Sequence, residues 1–184
     1  AAEISTQEHT VYLLGKEHGG FKAGAENGKR GYLLTYGIAY IRDFVMRHHI
    51  MAESFETSVG WRDVTTTCER IKTRIHAEHA RLGLPGKAFV SCRVTQLYES
   101  GACIYVYFAY YAKGVADPIG NYHIIENAAR DEILDAGGSL SHHHGVGKLR
   151  AHFIPQIMSP AAITWRKSMK QALDPQNVFG CGNL

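Results

Sequence analysis

Two runs near the middle of the chain, residues 88–97 and 103–111, constrain its folding most. In the second run the even positions Ile104, Val106, Phe108 and Tyr110 are apolar or aromatic. The odd positions Cys103, Tyr105, Tyr107, Ala109 and Tyr111 form a tyrosine-bearing stripe. Successive side chains of a strand point to opposite faces, so this pattern describes a strand with one covered face and one open face. Glu99-Ser100-Gly101 suits the turn of a hairpin that joins the two runs. In the first run Ala88, Val90, Cys92 and Val94 belong to the covered face. Phe89, Ser91, Arg93, Thr95 and Leu97 belong to the open one. An open face of Tyr, Arg and Thr suits a binding wall. It also suits solvated strand residues or contact with another domain.

The flanking sequence supplies helices for the covered face. Residues 3–14 read as a helix and the Gly-rich stretch 15–30 as a loop. Between 31 and 49 apolar residues recur at helical spacing. Residues 50–58 read as a strand, and 61–82 as a helix with Ser58 as a plausible cap. Leu84-Pro85-Gly86 marks a turn. Asp117-Pro118 opens a helix that stops at Gly137-Gly138. Residues 139–142 read as a last short strand, Ser159-Pro160 starts a final helix, and the tail is irregular. The resulting order is βαββαβ, a ferredoxin-like α+β fold with two helices on one side of an antiparallel sheet. It divides the chain into an N-terminal helix and loop (1–30), a cap domain (31–147), and C-terminal helices with an irregular tail (148–184).

Composition narrows the function. A chain of 184 residues is long enough to bury a core. A net charge of +3 is too small to argue for nucleic acid, and it is compatible with an anionic small molecule. Four scattered cysteines without a CxxC pair argue against a zinc knuckle or a redox dithiol, and a reducing compartment is the simplest setting. The longest apolar run, 102–112, is far below the ~20 residues of a membrane helix. With no initiator Met, the chain reads as a piece of something longer.

The sharpest local feature is Ser141-His142-His143-His144-Gly145-Val146-Gly147-Lys148-Leu149-Arg150. His142 and His144 would point the same way on an extended chain, a metal-ligand spacing, but no third and fourth ligands are evident nearby. A Walker phosphate loop would need Gly at 142 and Ser or Thr at 149, where His and Leu stand. The third reading makes the histidines acid/base groups beside Lys148 and Arg150, with glycines that let backbone approach a ligand.

This string resembles a signature of the alkyldihydroxyacetonephosphate synthase family. So do RGYLLTYGIAYIRD (30–43), ESFETS (53–58) and CRVTQLYESGACIYVYFAY (92–110). The ending LDPQNVFGCGNL (173–184) is similar to the close of that family and of the wider vanillyl-alcohol oxidase type of FAD-linked oxidases, with Gly182-Asn183 in place of their final turn. The resemblance runs from about Gly19 to Leu184. It implies an FAD-dependent exchange, without net redox, of the acyl chain of acyl-dihydroxyacetone phosphate for a long-chain fatty alcohol. In the family the substrate carbon is held as an adduct at flavin N5. Residues 31–147 then correspond to the FAD-linked oxidase C-terminal domain. No Gly-rich pyrophosphate-binding stretch stands in the chain, so most of the cofactor cradle is expected upstream.

The resemblance also assigns roles residue by residue. Tyr105, His142, His143 and His144 match catalytic positions, and Arg42 matches the phosphate-binding arginine. Ser54 matches a serine needed for activity, and Arg93, placed on the open face by strand parity, is read on the substrate side. His143 and Lys148 fall on the cofactor side, and no metal is implied. The family is peroxisomal or glycosomal and associates peripherally with the lumenal face of the membrane, and a homodimer is compatible with it. Two other classes fit the residues less fully: a cap that serves true flavin oxidation of a small alcohol, and a degenerate domain that only binds.

Overall fold

The computed structural model describes residues 2–183. Its chain divides between Phe44 and Val45 into two units, each described by itself. The first holds helix α1 (Ala2–Glu17) and most of helix α2 (Ala25–Arg47). The loop between them is shorter than the 15–30 expected, because 25–30 are helical. The glycines up to Gly28 suggested a loop there, yet the stretch also holds Ala25 and Glu26, and Glu26 pairs with Lys29 at 2.7 Å. An acidic residue in the first turn and an i,i+3 pair each favour helix. Neither helix buries a residue, so Leu33, Leu34, Ile38 and Ile41 remain exposed.

The second unit is an α+β layer structure. Strands β1 (Ile50–Gly60), β2 (Phe89–Leu97) and β3 (Gly101–Tyr111) form an antiparallel sheet in the order β1-β3-β2. Helices α3 (Val64–Arg81) and α4 (Pro118–Asp135) cover one face. There Ile104, Val106, Phe108 and Tyr110 of β3 meet Ile71 and Ile75 of α3 and Ile125, Ala129 and Ile133 of α4. All are at most 2% exposed, as the alternation of β3 required. Phe108 stacks on Tyr122 with ring centroids 5.0 Å apart. The turn closes with Tyr98 N donating to Gly101 O at 2.9 Å.

Caps account for the helix ends. Asp117 Oδ1 accepts from Gly120 N at 2.9 Å, with Pro118 in the first turn. Gly137 takes φ +74°, and Gly138 N donates to Ile133 O at 2.8 Å, which ends α4 in a left-handed cap. Ser159 caps α6 (Pro160–Leu173) through Ala162 N at 3.2 Å. A short helix, α5 (Ile154–Ile157), precedes it. Ser58 caps nothing: it pairs with Cys103 inside the sheet, and α3 follows a short 3-10 turn at Trp61–Asp63.

Two strand expectations differ. Residues 139–142 form no strand, so the sheet has three strands among the described residues. Ser139 N does donate to Ser58 O at 2.9 Å, as a strand residue would. Beyond it, side chains take over the chain's hydrogen-bonding groups: Ser139 O accepts from Thr57 Oγ1 at 2.7 Å, and the N–H groups of 142–144 donate to Glu56. Val94, expected on the covered face, is 42% exposed, because a register shift between Val94 and Gln96 turns the end of β2.

Candidate active site

The open sheet face carries the chemistry. Residues directly opposite each other in an antiparallel pair lie on the same face, so the register arranges them in rows. Glu56, Tyr105 and Arg93 make one row across β1, β3 and β2, and Ser54, Tyr107 and Ser91 make the next. Arg93 Nη2 donates to the Tyr107 hydroxyl at 2.8 Å. Cys103, assigned to the open stripe from its parity, is fully buried, because the histidine loop covers that end of the face.

The histidines reach the same face from the loop after α4. His144 Nε2 lies 2.7 Å from the Tyr105 hydroxyl, and His142 Nε2 lies 2.8 Å from the Tyr98 hydroxyl. His142 Nδ1 and His143 Nδ1 are 2.9 Å apart. The His143 ring lies beside Tyr105 at 5.8 Å between centroids. Sequence reasoning therefore brought together Tyr105, the three histidines, Arg93 and Ser54, but it passed over Tyr98. Lys148 lies against the tail, its Cε 3.3 Å from where a Cβ on Gly182 would stand. Arg42 belongs to the first unit, on α2, with its Nε 4.0 Å from the Asp43 carboxylate. Both side chains of that pair are more than half exposed, so it contributes little to stability.

Glu56 was also missed. It lies on the open face, yet it is 1% exposed because the loop closes over it. Its Oε1 accepts from the Ser141 hydroxyl at 2.8 Å and from the backbone N–H groups of His144 and His143 at 2.8 and 3.2 Å. Its Oε2 accepts from His142 N at 2.5 Å. Burial alone would push this carboxyl up. The N–H groups of His144 and His142, the Ser141 hydroxyl and the His143 N–H outweigh it and hold the pKa at about 2. Burial also lowers the pKa of His144, against the pull of the Glu56 charge, with His143, Arg150 and Arg130 lowering it further. The only hint in the sequence was a Glu at alternate spacing from Ser54 and Ser58.

Buried charges pin both ends of the loop. Arg130, 1% exposed, donates from Nη1 to Leu140 O at 2.7 Å and from Nε and Nη2 to Glu126 at 3.0 and 2.8 Å. Arg150 Nη1 donates to Gly145 O at 2.7 Å. Arg150, expected beside the histidines, is near enough for its charge to act on His144, and it also lies 3.6 Å from Glu126.

Chemically, the face offers a proton-transfer pair, Tyr105 and His144, beside aromatic rings and exposed cations. Cys103, His142 and His143 each present one donor atom within 4.8 Å of the others. Both ring nitrogens of His142 are already at hydrogen-bonding distance from Tyr98 and His143, so the arrangement reads as a hydrogen-bonded chain. The rings of Tyr105 and His143 lie 5.8 Å apart between centroids and those of Tyr98 and His142 5.5 Å, an aromatic cluster on the open face.

The second unit is thus a layered α+β domain with an aromatic open face, and its family agrees with that build. The family described as FAD linked oxidases, C-terminal domain, matches residues 13–184, and the chain belongs to it. The chain is 43% identical over 182 residues to the alkyldihydroxyacetonephosphate synthase of Caenorhabditis elegans, a match that spans 99% of this chain and 30% of that protein. It is 27% identical over 169 residues to the synthase of Dictyostelium discoideum, and 26% identical over 185 residues to that of Trypanosoma brucei brucei. The matches span 27% and 29% of those proteins, so the chain covers under a third of the length of the curated relatives. A solved structure titled alkyldihydroxyacetonephosphate synthase shares the fold with a TM-score of 0.59 at 22% identity, covering 90% of this chain and 26% of that one.

Proposed function

We propose that the chain is the substrate-side part of an alkyldihydroxyacetonephosphate synthase, which exchanges the acyl chain of acyl-dihydroxyacetone phosphate for a long-chain fatty alcohol and forms an ether bond. The observation that carries this reading is the Tyr105 hydroxyl 2.7 Å from His144 Nε2 on an open sheet face. The alpha-carbon proton of a ketone is weakly acidic, and its removal needs a placed base. His144 is held neutral by burial and can accept a proton from Tyr105. The phenolate oxygen then takes the substrate proton. FAD, when bound, would supply an electron-accepting ring, and His143 and Lys148 would be its contacts from this chain. Ser54 and Arg93 border the substrate, and Arg42 binds the phosphate with two parallel hydrogen bonds, which Lys cannot make.

The same proposal places the whole protein in peroxisomes or glycosomes, peripherally on the lumenal membrane face, as a homodimer. No described helix is long and apolar enough to cross a membrane.

The test supplies the protein that carries this chain with acyl-dihydroxyacetone phosphate and a labelled long-chain alcohol. The label should enter an alkyl ether, with one fatty acid released per ether and no oxygen consumed. Bleaching of the flavin by substrate with oxygen uptake would overturn the exchange in favour of an oxidase.

A further inference from the structure

We infer that Glu56 is the positioning residue of the site: its carboxylate holds the histidine loop by its backbone and sets the His144 ring with the proton on Nδ1 and the lone pair on Nε2. The geometry has two parts. In the first, four donors converge on one buried carboxylate: the Ser141 hydroxyl and three successive backbone N–H groups, those of His142, His143 and His144. Successive N–H groups that point inward form a nest for an anion, and here a side chain from β1 fills it. An ionised carboxylate only accepts, so it can meet all four donors at once. A glutamine would turn an NH2 group toward at least one of these N–H groups and lose that bond.

The second part concerns the ring. Glu56 Oε1 lies 3.7 Å from His144 Nδ1. That is too long for a hydrogen bond but close for a charge shielded from water. A lone pair on Nδ1 would face the carboxylate and be repelled, whereas an N–H there is attracted. A neutral imidazole carries one proton, so Nε2 is left bare, 2.7 Å from the Tyr105 hydroxyl. Tyr105 must then be the donor in that bond. When the phenol O–H bond breaks, its electron pair stays on the oxygen and the new N–H bond forms at Nε2. The imidazolium charge so created lies beside Glu56. His143, Arg130 and Arg150 also act on this ring, and all three disfavour that charge, so Glu56 is the group that favours it.

The effect on turnover rests on the acyl-exchange reading, but the ring orientation does not. The decisive measurement is therefore made on the resting flavoprotein with 15N-labelled histidine, by long-range proton–nitrogen correlation. In the unaltered protein His144 should show a protonated Nδ1 and an unprotonated Nε2. The opposite tautomer would overturn the inference without any variant. Glu56→Gln should mix the two forms and reduce kcat by ~10²-fold or more while KM changes little, since a wrong tautomer disables a base without removing substrate contacts. Glu56→Gln added to His144→Ala should cost far less than Glu56→Gln alone, because Glu56 acts chiefly through that ring. A full multiplicative loss in the double variant would show Glu56 to be a fold residue only. If the unaltered protein exchanged no acyl chain yet kept the Nδ1–H tautomer, the reaction reading would fall and the role of Glu56 would stand.

Discussion

Arg130→Met tests whether the loop that carries the histidines is held from beneath by a buried charge. The guanidinium is 1% exposed and makes three hydrogen bonds, two to Glu126 and one to the Leu140 carbonyl. Methionine has a similar reach and can lie over the Phe55 ring, whose centroid is 5.0 Å from the Arg130 Cζ, so little packing is lost. Breaking a buried ion pair costs about 3–5 kcal/mol, because the remaining charge stays out of water. Arg150, 3.6 Å from Glu126, softens that cost, while the orphaned Leu140 carbonyl adds about 1–3 kcal/mol. The net expectation is a loss of about 4 kcal/mol in urea unfolding, seen as a lower midpoint with an unchanged slope. Combining Arg130→Met with Glu126→Leu should recover about half of it or more, since an apolar pair replaces a buried ion pair at little cost. A loss under about 1 kcal/mol for the single variant would refute the reasoning, because Glu126 would then have water as its partner.

Three further outcomes are expected. Tyr105→Phe keeps the ring and deletes the hydroxyl, so acyl-exchange turnover should fall by ~10²-fold or more with little change in the melting temperature. Full turnover in that variant would move the base to the histidines alone. Arg42→Lys should weaken productive binding of acyl-dihydroxyacetone phosphate by about 1–3 kcal/mol in an affinity titration, and unchanged affinity would remove Arg42 from the phosphate role. Stability should decline on acidification. His144 and His79, held by burial below their ordinary 6.5, bind fewer protons folded than unfolded and begin the loss near that pH. Glu56, held at about 2 against an ordinary 4.5, adds about 3 kcal/mol above pH 4.5 that disappears as pH falls toward 2. Glu56→Gln should flatten the lower part of that profile in urea melts recorded from pH 6 to 3.

Much of this arrangement was legible because it is written in local rules. The parity of β3 gave its covered face, and Asp117-Pro118 and Ser159-Pro160 gave two helix starts that their cap bonds bear out. The family was legible from strings of residues. The misses share a physical cause. Gly28 argues for a loop only when isolated from the good helix formers around it. Val94 leaves its face because of a register shift that alternation cannot show. Residues 139–142 lose their place as a strand, and Cys103 its exposure, because a side chain from β1 draws the loop down. That side chain is Glu56, whose partners are backbone groups invisible in a pattern of residue types.

The distance along the chain between Glu56 and its partners, 85 to 88 residues, also bears on how the site comes into being. The hairpin of β2 and β3 can close early, since its turn is local. The histidine loop has no such nucleus. It can be shaped only after β1 has paired with β3 and α4 has docked, when the carboxylate is already in place to receive it. A chain arrested with the hairpin formed would therefore carry Tyr105 without His144 beside it. Competence for chemistry should appear in one late step of refolding, together with native burial, and should be lost at the first opening of the β1 edge.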